Sequence, residues 1–142
     1  MSGGTAGGSS ALAAALWIGG MGALGSLARA GLGFALARTF AGGSLQTWLP
    51  TLVINLLGSF GMGLAVAVLG SVSAPLSRHP YSLGITPGFL GGFTTYSAFA
   101  YQSYALAEKR AYGAMATYVG LTLVGCFVAC ATGVALGKAL GK

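Results

Sequence analysis

Polar side chains interrupt the most apolar stretches of this sequence. The run GGFTTYSAF, from Gly91 to Phe99, lies within the uncharged segment 81–107, and a carboxamide, Asn55, lies in the apolar run TLVINLLGSF. Burying an amide or a hydroxyl is unfavourable unless it finds a hydrogen-bond partner. Because amide and hydroxyl hydrogens and the edges of aromatic rings carry positive partial charge, these groups could line a path for an anion.

The spacing of these polar groups places them on helix faces. Two trios recur every four positions, namely Thr51, Asn55 and Ser59, and Tyr118, Thr122 and Cys126. At that spacing each trio lies on one side of a helix. The alternative role is helix association through hydrogen bonds, which contribute about 0.6 kcal/mol each within membranes. The spacing therefore predicts two polar helix faces and leaves open whether they line a pore or join helices.

The composition is that of a membrane protein. Of 142 residues, 55% are hydrophobic, seven are Lys or Arg and one is acidic, whereas about a quarter of the residues in soluble domains are charged. Since a spanning helix needs about 20 apolar residues, the length accommodates about four spans. We predict an all-α integral membrane protein with a disordered tail at 1–10 and a four-helix transmembrane domain at 11–142.

Four apolar segments are predicted, at 11–40, 48–70, 81–107 and 111–137. The third cannot be one regular helix, because Pro87 lacks a backbone donor and the sequence from Gly91-Gly92 to Thr94-Thr95 has low helix propensity. We predict a break near Gly91, where carbonyls freed from helical hydrogen bonds could bind a cation. The alternative is a kinked helix whose hydroxyls bond back to their own carbonyls.

Glycine is abundant, with 26 residues, and several are spaced four apart, as are Gly84, Gly88 and Gly92. Helices in lipid associate through close approach of their backbones, which small residues permit. The glycine pattern therefore predicts tight helix packing.

The basic residues are few and scattered. The formal net charge is +6, but the basic residues form no run, which argues against nucleic-acid binding. With four spans, Arg78, Lys138 and Lys142 fall on one side of the membrane and Arg38, Lys109 and Arg110 on the other. Because the numbers of basic residues on the two sides differ so little, the chain is expected to insert in both orientations. Arg29 lies at membrane depth and is a candidate for attracting anions at a vestibule, with snorkelling to the interface as the alternative.

The sequence lacks the residue patterns of enzymes and of proton-coupled exporters. His79 lies alone in a predicted loop, and no pair of nucleophile and base is visible, so we predict that the protein is not an enzyme. Glu108, the single acidic residue, lies in a predicted loop beside basic residues. A proton-coupled multidrug exporter needs a carboxylate within the membrane, so the sequence argues against that class of protein. Cys126 and Cys130 have no His or acidic companions, which favours buried thiols over a metal site or a disulfide.

Three stretches resemble the Fluc (CrcB) family of fluoride channels. The most specific is GFLGGFTTYSAF at 88–99, which is similar to the family pattern GFxGGxTTFSTF. VINLLGSF at 53–60 resembles the family element VNxxGSF, and GALGSLAR at 22–29 resembles its glycine-rich opening that ends in arginine. The three matches occur in the family's order, and the resemblance covers about residues 19–137.

The resemblance implies a multi-pass protein of the cell membrane that exports cytoplasmic fluoride passively and gives fluoride resistance. It implies a dual-topology, antiparallel dimer in the lipid bilayer, with a structural Na⁺ at the dimer interface held by the carbonyls of Gly91 and Thr94 from both subunits. The residues it implies for the anion pore are Asn55, Tyr96, Ser97, Phe99, Thr122, Cys126 and Thr51.

The sequence departs from the family pattern at three positions. Tyr96 stands where a pore phenylalanine is expected, Ala98 replaces a hydroxyl residue, and Gln102 occupies a position where glutamate is common. These changes bear on conductance and selectivity and not on the fold. We expect a homodimer, with a heterodimer containing a paralogous subunit as the alternative. Two further alternatives are a small membrane protein that exports another substrate and a scaffold protein that transports nothing.

Overall fold

The computed structural model describes residues 5–69 and 83–141, with side chains from residue 11 onward except at 44. The elements are α1 at Thr5–Thr39, a 3-10 turn at Ser44–Thr47, α2 at Leu49–Leu69, α3 at Gly84–Leu90, α4 at Gly91–Phe93, α5 at Tyr96–Glu108 and α6 at Tyr112–Leu140. These described residues contain no strand, and α3, α4 and α5 form one broken segment. The prediction of an all-α fold with four helical segments is confirmed. The predicted connection at 71–80 lies outside the described residues.

Three described helices are long and apolar enough to cross a bilayer. They are Ala11–Thr39, Leu49–Leu69 and Tyr112–Leu140, with mean hydropathies of 1.6, 2.2 and 2.2. At about 1.5 Å per residue, such helices cross the hydrocarbon core of about 30 Å. The remaining predicted segment is divided among α3, α4 and α5, with 7, 3 and 13 residues, so none of its pieces reaches spanning length alone.

Helix α1 begins at Thr5, within the stretch predicted as a disordered tail. The residues from 5 to 10, TAGGSS, contain no proline to end a helix, so the backbone of α1 extends into them. Residues 1–4 lie outside the described part of the chain. At the other end of the chain, α6 continues to Leu140, past the predicted end at Gly137.

Helices α2 and α6 pack closely through glycines. The contacts pair Leu56 with Gly125, Phe60 with Gly133, and Leu64 with Gly137. A Cβ at Gly133 would overlap the carbonyl of Phe60, so the two backbones lie closer than an alanine would permit. Because the paired positions advance together along both helices, α2 and α6 run parallel, as the second and fourth spans of a four-pass bundle must.

The broken segment packs against α1 in the same manner. A Cβ at Gly92 would overlap the backbone of Gly22, and a Cβ at Gly25 would overlap the carbonyl of Phe89. Gly84 and Gly88, on the same face as Gly92, lie against side chains and backbone of α1. The tight packing predicted from glycine spacing is confirmed at both helix pairs.

The helix breaks at Thr94 and Thr95. Both residues are extended, with φ −83° and ψ 159° at Thr94 and φ −149° and ψ 113° at Thr95. The predicted break near Gly91 is present and begins three residues further along, at Thr94, because Gly91–Phe93 stays helical where Gly92 packs on α1. Ahead of it, α3 is wound as a π-helix around Pro87, whose missing N–H weakens regular α-helical bonding.

Candidate anion pathway

Asn55 joins α2 to the break in the third segment. Its Nδ2 donates to the carbonyl of Thr95 at 3.1 Å, and its Oδ1 accepts from the N–H of Thr95 at 2.9 Å. The residue is only 7% exposed, so these backbone groups replace the water it gives up on burial. The Asn55 side chain thus bonds to both backbone groups of the extended residue Thr95, as a neighbouring β-strand would. One hydrogen of its Nδ2 is left over as a further donor.

A cavity of about 350 Å³ lies between α2, the break and α6. Five residues predicted for the pore line it, namely Asn55, Tyr96, Phe99, Thr122 and Cys126. The other lining residues are Gly58, Ser59, Met62, Thr94, Thr95, Leu123 and Cys130. None of these described lining residues carries a formal charge. The fold therefore brings residues from three segments of the sequence to one uncharged cavity.

Thr51 and Ser97 were predicted for the pore but do not line this cavity. Thr51 is buried within the protein core. Ser97 is exposed on the first turn of α5, and its hydroxyl lies 3.3 Å from that of Thr95. Thr51 therefore belongs to the core beside the cavity, whereas Ser97 faces away from the single chain.

Phe99 lies at the centre of an aromatic cluster. It is buried, and its ring lies 5.5 Å from that of Tyr96 and 5.3 Å from that of Tyr118, the latter in an edge-to-face arrangement. Trp48 extends the cluster beyond Tyr118. These contacts fix the plane of the Phe99 ring, and a fixed ring can present its positive edge to an anion.

Tyr118 and Gln102 form a buried hydrogen bond that the sequence analysis missed. Tyr118 is fully buried, and its Oη donates to Gln102 Oε1 at 2.8 Å. A signal was available, because Tyr118 precedes Thr122 by one helical turn and Gln102 follows Phe99 by three residues, on the faces that meet. Since the phenol hydrogen is occupied, Tyr118 does not offer it to an anion.

Thr122 contributes a free hydroxyl to the cavity. Its Oγ1 is buried and has no hydrogen-bond partner among the described residues, and the residue is 6% exposed. Leaving a buried polar group unpaired costs about 1 to 3 kcal/mol. The hydroxyl does not bond to a neighbouring helix, so it does not serve the helix-joining role considered for it. Because Thr122 lines the cavity, its hydroxyl is a candidate donor to a group bound there.

Tyr96, at the mouth of the cavity, is 77% exposed, although it stacks at a tilt on Phe99. Its ring forms part of the cavity wall and part of the outer surface of the chain. The substitution of tyrosine for the expected phenylalanine therefore places a phenol at the boundary of this cavity.

The break frees the backbone carbonyls of Gly91 and Thr94. In a continuous helix they would accept from the N–H groups of Thr95 and Ala98. Those N–H groups instead donate to Asn55 Oδ1 and to Thr95 Oγ1. Among the described residues no group of three or more His, Cys, Asp or Glu side chains could hold a metal ion. A cation at the break would therefore depend on carbonyl oxygens, the ligands that unwound membrane helices offer Na⁺.

Arg29 lies against the break. Its Nε donates to the carbonyl of Gly92 at 3.2 Å, and Ser26 Oγ donates to the same oxygen at 3.4 Å. From the sequence, this guanidinium was predicted to lie at a vestibule or at the membrane interface. The contact adds a third role, because Arg29 supplies a donor to a carbonyl next to the point where the helix unwinds.

Comparison with known proteins identifies the family to which this chain belongs. Residues 16–134 match the family model described as CrcB-like protein, Camphor Resistance (CrcB). A protein of Chloroflexus aurantiacus named fluoride-specific ion channel FluC is 36% identical over 120 residues, which is 84% of this chain and 90% of the relative.

Two further relatives carry the same name. One from Bordetella petrii is 38% identical over 110 residues, covering 75% of this chain and 84% of the relative. One from Sorangium cellulosum is 34% identical over 124 residues, covering 87% of this chain and 94% of the relative. The relatives are named as ion channels and not as enzymes, in agreement with the prediction for this chain. The chain belongs to the CrcB family and is a multi-pass protein of the cell membrane.

Proposed function

We propose that two copies of this chain form a passive channel for fluoride. The observation that carries the proposal is the hydroxyl of Thr122, which is buried and unpaired in a cavity without formal charges. An unpaired buried donor calls for an acceptor that enters the cavity. Relatives that cover most of the chain are named fluoride-specific ion channels, which supports fluoride as that acceptor.

Fluoride is small and holds its water tightly, so its pathway must replace hydration with donors. Thr122 Oγ1 and the second hydrogen of Asn55 Nδ2 are uncommitted donors among the residues that line the cavity, and the edge of the Phe99 ring adds positive partial charge. Neutral donors can attract the ion without binding it so tightly that it cannot leave. The phenol of Tyr96 adds a donor at the mouth.

Export requires no energy source beyond the membrane potential. Fluoride enters a cell as neutral HF and dissociates inside, and the anion then leaves an inside-negative compartment with about 2.3 kcal/mol per 100 mV in its favour. Glu108, the single acidic residue of the chain, lies at the end of α5. No acidic side chain is therefore available within a span for coupling to protons. A channel of this type would confer fluoride resistance on the cell.

The single chain leaves the region of the break uncovered, which supports a dimer. The extended residues Thr94 and Thr95 are only half-buried, and Gly91, Tyr96 and Ser97 on either side of them are exposed in the isolated chain. Non-helical backbone at membrane depth is tolerated only when protein or a wet cavity covers it. A second copy placed over the break would cover these residues. The equal division of basic residues between the two sides supports an antiparallel arrangement of the copies.

A sodium ion fits between two such copies. The carbonyls of Gly91 and Thr94 have lost their helical donors to Asn55 and Thr95, and the two copies together would offer four oxygens. When bound, the ion would neutralise the partial negative charges that converge where the breaks meet. The residues of this chain provide the extended geometry that turns these carbonyls away from helical bonding.

The proposal is tested by reconstituting the purified chain alone in liposomes loaded with potassium fluoride. Valinomycin then starts efflux, which a fluoride electrode records. Rapid efflux of fluoride with little efflux of chloride is the expected result, and it would establish that one gene product suffices. Efflux that appears only when a paralogous subunit is added would support the heterodimer. Equal efflux of chloride would contradict the proposed selectivity.

A further inference from the structure

Three sulfur atoms belong to the wall of the anion cavity. Cys126 and Cys130 are free, half-buried and one helical turn apart on α6. Met62 of α2 lines the same cavity. No companion ligand for the two thiols was predicted from the sequence. The fold provides one, because Gly63 brings the backbone of α2 against the carbonyl of Cys130.

The ligand types at this end of the cavity select a soft metal ion. Side chains four residues apart on a helix have Cβ atoms about 5 to 6 Å apart, so two thiolates can reach one ion between them. Thiolate and thioether ligands favour Cu(I), Zn²⁺ and Fe–S clusters. Structural zinc sites need four Cys, His, Asp or Glu ligands and iron–sulfur clusters need four cysteines, whereas the cavity wall supplies two cysteines and one methionine, which leaves Cu(I). The described cavity lining has no carboxylate or imidazole, so Mg²⁺ and Ca²⁺ would find none of the charged oxygen ligands they prefer.

A second observation indicates that a guest enters this cavity. Thr122 precedes Cys126 by one turn on the same helix face and lines the cavity, and its buried hydroxyl has no partner among the described residues. The thiols therefore border a space that is already built to admit an ion, and they are not enclosed in a dry core. A small cation that reached the cavity would meet the thiols on its wall.

We propose that Cys126 and Cys130, with Met62 beside them, bind a soft monovalent metal ion, Cu(I) or Ag(I), and that this ion closes the anion pathway. The second part rests on the proposed fluoride channel. On binding, two S–H bonds break, two sulfur–metal bonds form and two protons pass to the solvent, so no oxidation or reduction occurs. Two thiolates and one monovalent cation leave a net charge of −1. The occupied site therefore both fills the passage and repels fluoride.

Binding is tested with silver ions on the purified protein in detergent, in nitrate buffer without chloride. The expected result is one Ag⁺ per chain with loss of both free thiols. The variant C126S/C130S removes every cysteine of the chain and should bind none. Each single variant, C126S or C130S, should bind about 100-fold more weakly, because chelation by two linked ligands is lost. Two ions per chain, or single variants that bind as tightly as the parent, would overturn the site.

Met62 gives a separate test of the third ligand. M62L conserves volume and removes the sulfur, so it should weaken Ag⁺ binding while the thiol count stays at two. M62L that binds Ag⁺ as tightly as the parent would exclude the thioether from the site. Gel filtration of each variant shows whether it remains folded, and C126A/C130A provides a second thiol-free variant if the serine form is unstable.

The effect on flux is measured in liposomes, with each variant compared with its own efflux before silver is added. Ag⁺ should abolish fluoride efflux of the parent, a metal chelator with thiol groups should restore it, and C130S should resist. Binding of Ag⁺ without loss of efflux would overturn the closing role. A parent that binds Ag⁺ but carries no fluoride before silver is added would contradict the proposed channel and leave the metal site standing.

Discussion

Asn55 and Thr95 are joined by two hydrogen bonds across 40 residues of sequence, Nδ2 to the Thr95 carbonyl at 3.1 Å and the Thr95 N–H to Oδ1 at 2.9 Å. The pair explains why the third segment stays unwound. The N–H that would continue the helix is bound to α2, so the carbonyl of Gly91 loses its donor. One carboxamide therefore both shapes the break and borders the cavity.

Replacing Asn55 by alanine should abolish fluoride efflux and lower the stability of the protein. Two hydrogen bonds to buried backbone are lost, and the unpaired groups of Thr95 cost about 1 to 3 kcal/mol. Efflux from liposomes and the midpoint of thermal unfolding in detergent measure the two effects. L57A, at an exposed position of α2, is the control and should retain efflux. An N55A protein with parental efflux and stability would contradict the role of the pair.

Replacing Thr122 by valine should reduce efflux without destabilising the protein. Valine has nearly the shape of threonine, and it removes a buried hydroxyl that has no partner, so the free energy of unfolding should stay the same or rise by about 1 kcal/mol. Loss of efflux without loss of stability is expected for a donor that serves the anion pathway, whereas a structural residue would lower both when replaced.

The control for this change is T132V, because the Thr132 hydroxyl is exposed and donates to the carbonyl of Val128 at 2.8 Å on the same helix. Efflux of T132V should match the parent. If T122V conducts as well as T132V, the Thr122 hydroxyl is not part of the pathway.

Arg29 variants distinguish a positioning role from the attraction of anions. Nε donates to the carbonyl of Gly92, and lysine keeps the charge but does not carry a donor at the position of Nε. If Arg29 positions the break, R29K and R29Q should both lose efflux and unfold at lower temperature, since hydrogen bonds to charged groups contribute about 1.5 to 3 kcal/mol.

A vestibule charge would behave differently. R29K would then conduct, and the deficit of R29Q would vanish at high salt, where charges about 10 Å apart are screened. R38Q, at the exposed end of α1, should conduct normally in either case. Efflux at two ionic strengths and the unfolding midpoint together decide between these roles.

The effect of replacing a glycine of α6 by alanine should depend on whether that glycine packs against α2. G133A introduces a methyl group onto the carbonyl of Phe60, so it should separate α2 from α6 and prevent recovery of folded protein on gel filtration. At Gly120 a Cβ would meet nothing within 4 Å, and G120A should be neutral or stabilise the helix by up to about 1 kcal/mol. Equal recovery of both variants would contradict the close packing.

The elements of this protein follow from sequence features that act locally. The bounds of α2, the interruption of the third segment and the close packing of helices through glycine could be predicted, because hydropathy, proline and residue size act on neighbouring backbone. The position of the break was missed by a few residues. Its glycines favoured an irregular backbone, but packing of Gly92 on Gly22 kept them helical.

The sequence by itself determined a four-segment membrane protein with polar groups on helix faces, because composition and spacing are properties of single segments. Only the tertiary structure decided which of those groups are already paired. It pairs Asn55 with Thr95, Tyr118 with Gln102 and Arg29 with Gly92, and it leaves Thr122 without a partner among the described residues. A hydrogen is available to a passing ion only if no neighbour accepts it, and these neighbours lie 16 to 63 residues away in sequence.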